Sequence, residues 1–335
     1  MIQEQLIETV LLRLADGLPH SLADINADDL AYALQQLDAW GLQPSQDEYS
    51  RYSIVRRLNL LDQIVINRTL FQHKLQNTSQ HTQQDTQQGS VLVFRSLDST
   101  NEFLLTQKEL PSGTICTTEM QTAGRGRRGR QWHSPFAQNL YFSLLWHFQT
   151  QPEKLKALSL VVGICVADTL TELGVENIRL KWPNDIYLNG RKLGGILIES
   201  RIFNQQSQQM VIGIGLNLAM QPSDAEQISQ PWANLNESAV KIERNQLVAT
   251  LASRLQQALQ QLEQYGSSHY LQRWQQYDYF YQQPIKLLLE QEEIHGICCG
   301  IDTDSGELLL KTEDGRIHHF NIGEISVRAL HNQKI

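Results

Sequence analysis

Nowhere in its 335 residues does the chain hold the run of about twenty apolar residues that a helix needs to cross a bilayer. Its first residues, Met1 to Leu14, lack the basic start and small-residue cleavage site of a secretory signal, so a cytoplasmic location is expected. Cysteine is scarce. Cys116, Cys165, Cys298 and Cys299 fit no zinc spacing, and in a large intracellular chain they are expected to stay reduced and structural. Positive charge is in deficit as well: 28 Lys and Arg face 36 Asp and Glu, a net charge of -8. That balance gives no global attraction for nucleic acid or an anionic membrane, and any such binding needs a local basic patch.

What is present is an ordinary globular balance, 41% hydrophobic and 19% charged, in a chain long enough for about two or three domains. Ile2, Leu6, Ile7, Val10, Leu11 and Leu14 recur at helical spacing, and Leu30, Leu34 and Leu37 repeat the signal before Trp40-Gly41. A small helical domain over 1–73 follows. From Lys74 to Ser90 the sequence turns to Gln, Thr, Ser, Asn and His and cannot bury a core, which predicts a polar linker. Val91-Leu92-Val93-Phe94 then reads as a buried strand and Ser99-Thr100-Asn101-Glu102 as a capped helix start. Leu155 to Leu173 is an apolar helix closed by Gly174, Ile178 to Trp182 a strand ended by Pro183, and Leu193–Glu199 with Gln209–Leu218 a strand pair. With an amphipathic helix over about 245–265, these predict an α/β (α+β) domain with a mixed sheet over 91–282. Short strands with turns at Asp304-Ser305-Gly306 and Asp314-Gly315 predict a small β-barrel over 283–335.

Four clusters carry chemistry. Gly124-Arg125-Gly126-Arg127-Arg128-Gly129-Arg130 has the letters of a dinucleotide fingerprint, but Trp132-His133-Ser134-Pro135 follows where that motif needs a helix. Four arginines on glycine hinges instead suit a flexible loop that clamps phosphates or carboxylates. Lys181-Trp182-Pro183-Asn184-Asp185 gathers a cation, an amide and a carboxylate at a strand end, and Arg191-Lys192-Leu193-Gly194-Gly195 sets a lysine beside glycines that admit a ligand to the backbone. In Gly213-Ile214-Gly215-Leu216-Asn217 the glycines fall on one strand face and leave it bare for something flat. Each cluster also has a plain reading: a solvated basic loop, a Pro-Asn-Asp turn, a hairpin lysine, a bulge.

Together with Asp98-Ser99-Thr100-Asn101 and Gln121, these stretches resemble the biotin protein ligases from about Val91 to the C-terminus, in the same order and separation. The nearest subgroup has an N-terminal winged helix and acts as the biotin operon repressor. The resemblance implies a central domain related to class II aminoacyl-tRNA synthetases and an SH3-like C-terminal domain. It also implies that Ser99, Thr100, Asn101, Gln121, Gly213 and Gly215 hold biotin, with Arg125, Gly126 and Arg127 closing over it and Lys192 at its carboxylate. Arg127, Arg128, Arg130, Trp132, Lys181, Asn184 and Asn217 would take ATP, with Trp132 and Asn217 facing the adenine and Asp185 contacting Mg²⁺. Lys192, Arg125 and Arg127 are the residues implied to act in catalysis.

The implied reaction has two steps. The biotin carboxylate attacks the α-phosphorus of ATP to give biotinyl-5′-AMP and pyrophosphate; a lysine of the biotin carboxyl carrier protein then attacks the mixed anhydride and expels AMP. The acting species is expected to be a monomer or a homodimer. Rival readings are a lipoate ligase, whose different glycine-rich loop is not found here, and a nicotinamide or flavin oxidoreductase. The repressor role fits the sequence poorly. Between Leu14 and Ser50 stand Asp16, Asp24, Asp28, Asp29, Asp38, Asp47 and Glu48, with no Lys or Arg, and the wing lacks a Gly-Lys-Gly-Tyr-like turn.

Overall fold

The computed structural model of the chain describes residues 2–77, 89–150, 155–204, 207–226, 228–289, 292–322 and 325–330. It begins with helix α1 (Ile2–Leu14), strand β1 (His20–Ser21), helix α2 (Ala27–Ala39) and the hairpin β2 (Ser45–Gln46) and β3 (Arg51–Ser53). The three short strands pair in the order β1-β3-β2. Asn26 caps α2 by accepting from the Asp29 N–H, and Asp28 and Asp29 in the first turn favour the positive end of the helix dipole. Val10, Leu11, Leu14, Leu22, Ala33, Leu37, Leu42 and Ile54 form this unit's core.

Helix α3 (Gln63–Asn77) follows, so the first residues of the polar stretch, Lys74 to Asn77, are helical. The rest of that expected linker up to residue 88 lies outside the described residues. Ile66 and Leu70 of α3 belong to the core of the next layer rather than to that of the N-terminal unit.

The central sheet holds β4 (Val91–Phe94), β5 (Ile115–Thr118), β6 (Asn139–Phe148), β7 (Ile178–Lys181), β8 (Asp185–Leu188), β9 (Arg191–Asn204) and β10 (Ser207–Asn217), interleaved with α4 (Thr100–Thr106) and α5 (Leu158–Glu172). Strand order is β4-β5-β6-β10-β9-β8-β7; β4 and β5 are parallel and every other pairing is antiparallel, which makes the sheet mixed as expected. Alternation along β10 assigns its faces. Ile212, Ile214 and Leu216 enter the main core with α5 and helix α6 (Arg244–Tyr265), whereas Val211 packs with Leu104 of α4 on the opposite face. Helix α5 is buried on nearly every side, which explains its lack of a polar stripe.

Strands β11 (Pro284–Leu288), β12 (Glu293–Ile301), β13 (Leu308–Lys311), β14 (Ile317–Phe320) and β15 (Ser326–Ala329) form an antiparallel sheet in the order β14-β13-β12-β11-β15. Ile285, Leu287, Cys298, Leu308, Leu310 and Val327 share one continuous core with the central layer. Gly306, at φ +76, turns the β12–β13 connection so tightly against α5 that a Cβ there would lie 2.9 Å from the Ala157 Cβ. Its carbonyl accepts from the Trp182 indole at 3.1 Å.

The N-terminal unit is docked on the central layer through Trp40, whose indole stacks on Phe136 with centroids 4.8 Å apart. A buried carboxylate, Glu119, ties the layers further: it pairs with Arg244 at 2.6 Å and Arg95 at 3.2 Å, and Arg95 reaches Glu8 of α1 at 2.6 Å. Among the described residues no helix is long and apolar enough to cross a membrane.

Candidate active site

The site lies on the α4 face of the central sheet. Ser99 caps α4 by accepting from the Glu102 N–H, which delivers Thr100 and Asn101 into the protein. Thr100 donates its backbone N–H (3.0 Å) and hydroxyl (3.2 Å) to Gln121 Oε1, and Gln121 Nε2 donates to Ser134 Oγ at 3.1 Å. Ser143 of β6 donates toward Thr100 Oγ1 (2.7 Å) and Asn101 Oδ1 (2.6 Å). These short polar groups make a rigid, nearly dry cradle of donors and acceptors.

The glycines of β10 make room for it, and the bare strand face is filled. A Cβ on Gly213 would lie 2.3 Å from Asn101 Oδ1, and one on Gly215 would lie 2.6 Å from the Trp132 ring. The flat group at Gly215 is therefore the chain's own indole. Trp132 Nε1 is buried and has no partner.

The arginine loop is folded rather than open. Arg125 bridges to Gln131, the Gly126 N–H donates to the Arg130 carbonyl at 2.7 Å, and Arg127–Gly129 is a short 3₁₀ turn with Arg128 at φ 59. Arg125 pairs with Glu102 at 2.6 Å and Glu199 at 3.0 Å. Arg127 donates to Asn184 Oδ1 at 2.9 Å; burial and then the neighbouring Arg128 push its pKa down from the ordinary guanidinium value.

Strand β8 sets Asp185 between two lysines. Lys192 of β9 lies 2.7 Å from its carboxylate, and Lys181, paired with Asp185 across the β7–β8 hairpin, lies 3.9 Å away. Lys181 is buried, near Tyr187 Oη at 3.3 Å and over the Tyr187 and Phe280 rings. Burial lowers its pKa to about 8, against the opposing pull of Asp185. The Lys192 ammonium sits 5.8 Å from the Trp132 ring centroid.

A cavity of about 170 Å³ runs between these groups. Ser99, Thr100, Asn101, Gln121, Arg125, Gly126, Arg127, Arg128, Arg130, Trp132, Lys181, Asn184, Asp185, Lys192, Gly213 and Gly215 all line it. Asn217 does not; its amide turns away to donate to the Ala233 carbonyl at 3.2 Å. Its volume is below the usual range of about 300–1,000 Å³ for small-molecule sites, and the arginine loop forms part of its wall. Sequence reasoning missed Ser143, Glu199 and the C-terminal Ser326, Val327 and Arg328, which β15 brings to the same wall. Ser143 was findable as the lone small polar residue in an apolar strand, and Glu199 as the site-facing position at period two from Gly195. Chemically, a polar cradle with Arg125 beside it at one end adjoins two lysines and Arg127 at the other, suited to a ligand with a polar neutral head and an anionic tail.

Among the described residues no three His, Cys, Asp or Glu side chains gather to hold a metal ion, and the Asp185 carboxylate is already engaged by Lys192. A cage of protein ligands for Mg²⁺ does not fit here. Mg²⁺ fits only as a companion of a nucleotide, held chiefly by phosphate oxygens and water.

Comparison with known proteins agrees with this geometry. Residues 93–217 match the biotin/lipoate A/B protein ligase family and residues 282–328 the biotin protein ligase C-terminal domain. The bifunctional ligase/repressor BirA of Salmonella typhimurium is 42% identical over 318 residues, covering 95% of this chain and 92% of that one. The BirA of Escherichia coli is 46% identical over 242 residues, or 72% and 75% of the two chains. The structure of the biotin protein ligase from Aquifex aeolicus in complex with biotin and ATP matches at a TM-score of 0.62 and 28% identity, covering 71% of this chain and 98% of that one. On the strength of its identity to these relatives over most of their length, the chain belongs to the biotin protein ligase family.

Proposed function

We propose that this chain is an ATP-dependent biotin protein ligase that forms biotinyl-5′-AMP and transfers biotin to a lysine of the carrier protein of acetyl-CoA carboxylase. The observation that carries the reading is the pairing, in one cavity, of the Thr100–Asn101–Gln121 cradle with Lys181, Lys192 and the arginine loop. Hydroxyl and amide groups suit the neutral ureido ring, while the cations suit a carboxylate that must approach a triphosphate. Lys192 would leave Asp185 for the reacting anions and stabilise the charge that grows between them. Arg127 and Arg125 would close the loop over the adenylate and keep water from the hydrolysable anhydride. Trp132 would shelter the adenine, with Asn217 reaching it only after breaking its bond to Ala233. Mg²⁺ would arrive on the nucleotide, with Asp185 as the one carboxylate among the described residues that line the cavity.

The N-terminal unit is read as the family's winged helix, the central layer as the domain related to class II aminoacyl-tRNA synthetases, and the C-terminal sheet as the SH3-like domain. Domain limits at 91–282 and 283–335 follow that reading, whereas the N-terminal unit is read as ending before α3 rather than at 73, because Ile66 and Leu70 of that helix pack in the core of the central layer. The test is a mass shift matching biotin on a carrier domain incubated with the protein, biotin and MgATP. Absence of a shift overturns the function, and a shift with lipoate in place of biotin reassigns the substrate.

A further inference from the structure

Strand β9 carries a carboxylate that no motif singles out. Gly195, Leu197 and Glu199 alternate onto the face that lines the site, opposite Gly215, Gly213 and Val211 of β10. Glu199 Oε2 accepts from Asn101 Nδ2 at 2.8 Å and from Arg125 Nη2 at 3.0 Å. One oxygen thus joins the cradle to the arginine loop. Asn101, held at Oδ1 by Ser143 and donating through Nδ2 to the Leu197 carbonyl at 3.1 Å as well as to Glu199, has its amide orientation fixed by these three contacts together. Arg125 is left with a buried Nε–H that has no partner, on a residue that lines the cavity.

We propose that Glu199 is a positioning residue for biotin: it fixes Arg125 against Asn101 so that the free Nε–H of Arg125 meets an acceptor on the ligand head. This rests on the biotin reading above. The second carboxylate on Arg125, Glu102, is half exposed, whereas Glu199 is the better shielded and holds Asn101 as well. Exposed pairs contribute little, so Glu199 dominates the placement of the guanidinium.

The test is a double-mutant cycle on the full chain, read by calorimetric titration with biotin and by pyrophosphate release. Glu199→Gln keeps the shape and removes the charge. It is expected to weaken biotin about ten- to a hundredfold, the worth of a charge-assisted hydrogen bond, with the KM for ATP moving less than about threefold. In an Arg125→Ala background the same substitution should lose most of its effect. If Glu199→Gln lowers the thermal midpoint enough to obscure binding, the cycle is read from Glu199→Asp, which keeps the charge and should recover part of the affinity. Biotin affinity within about twofold of the unaltered protein, below what one such bond contributes, overturns the assignment, as does an equal loss with and without Arg125. If the unaltered protein neither binds biotin nor labels a carrier domain, the ligase reading itself fails and the assignment with it.

Discussion

On the proposed reading, Lys192 is the side chain that bears most directly on rate. It lines the cavity, 2.7 Å from Asp185, and faces the indole of Trp132. Replacing it with Ala should lower adenylate formation by about 10² to 10³, the usual loss when one transition-state electrostatic contact is removed, with far-ultraviolet circular dichroism unchanged. Pyrophosphate release within about threefold of wild type would leave Lys192 as a hairpin lysine. Lys181 makes a second, pH-dependent prediction. Its folded pKa, about 8, lies below the ordinary 10.5, so the unfolded chain keeps this proton to higher pH. The charged form therefore costs stability at neutral pH, and that cost fades as pH rises from about 8 to 10.5. Function runs the other way: kcat/KM for ATP should fall as pH rises through about 8, because an uncharged amine no longer attracts the triphosphate. Lys181→Met should give a low, flat profile, and an unchanged alkaline limb in that variant would remove Lys181 from nucleotide binding.

Strands and helices with strong local signals were legible in the sequence: the α4 start at Ser99, the α5 stop at Gly174 and the strand pair that became β9 and β10. The strand β6 was not, because Asn139–Phe148 is apolar almost throughout and has neither alternation nor a helical stripe. Of the candidate site, the motif residues that line the cavity were legible and Glu199 was within reach of strand alternation from Gly195, but Arg328 was not, since the packing of β15 brings it in and no local pattern encodes it. The arginine loop carries braces that its letters do not announce. Its glycines predict flexibility, yet cross-loop bonds from Gly126 to Arg130 and from Trp132 to Gly124 brace it, leaving Arg128 and Arg130 exposed at the tip. Limited trypsin treatment should cut at that tip without ligand and slow when biotin and ATP are present, since closure buries the cleavable bonds. Arg127→Gly, which removes the bond to Asn184, should release the adenylate faster and label bystander lysines while synthesis persists. Equal cutting rates with and without ligands, or unchanged adenylate dissociation in the variant, would deny the loop this closing role.

At the scale of the whole molecule the question is whether the N-terminal unit reads DNA, since two relatives carry the name bifunctional ligase/repressor. Phosphate neutralisation by Lys and Arg supplies most non-specific affinity and positions a domain for base contacts. Helix α2 presents Asp28, Asp29 and Asp38 to solvent, and the β2–β3 turn adds Glu48. The flanking arginines offer little relief. Arg13 is held by Asp24 in two bonds of 2.6 and 2.7 Å, Arg51 by Asp47 at 2.8 Å, and Arg56 turns inward to the Phe136 carbonyl at 3.2 Å, beside the Trp40 stack. Arg57 remains exposed, too little to offset the five carboxylates that Arg13 and Arg51 leave unpaired with an arginine, on a chain of net charge -8. Backbone amides at the α2 start return only a small part of the missing attraction. The expectation is weak or no binding to the upstream region of the biotin biosynthetic genes in a gel-shift titration with biotin and ATP. The same preparation should label a carrier domain fully, which separates a silent DNA-binding unit from an inactive protein. Specific retardation at nanomolar dimer, abolished by charge reversal at Arg56 and Arg57, would show that docking on Phe136 gives way when DNA is offered and that the repressor function is intact.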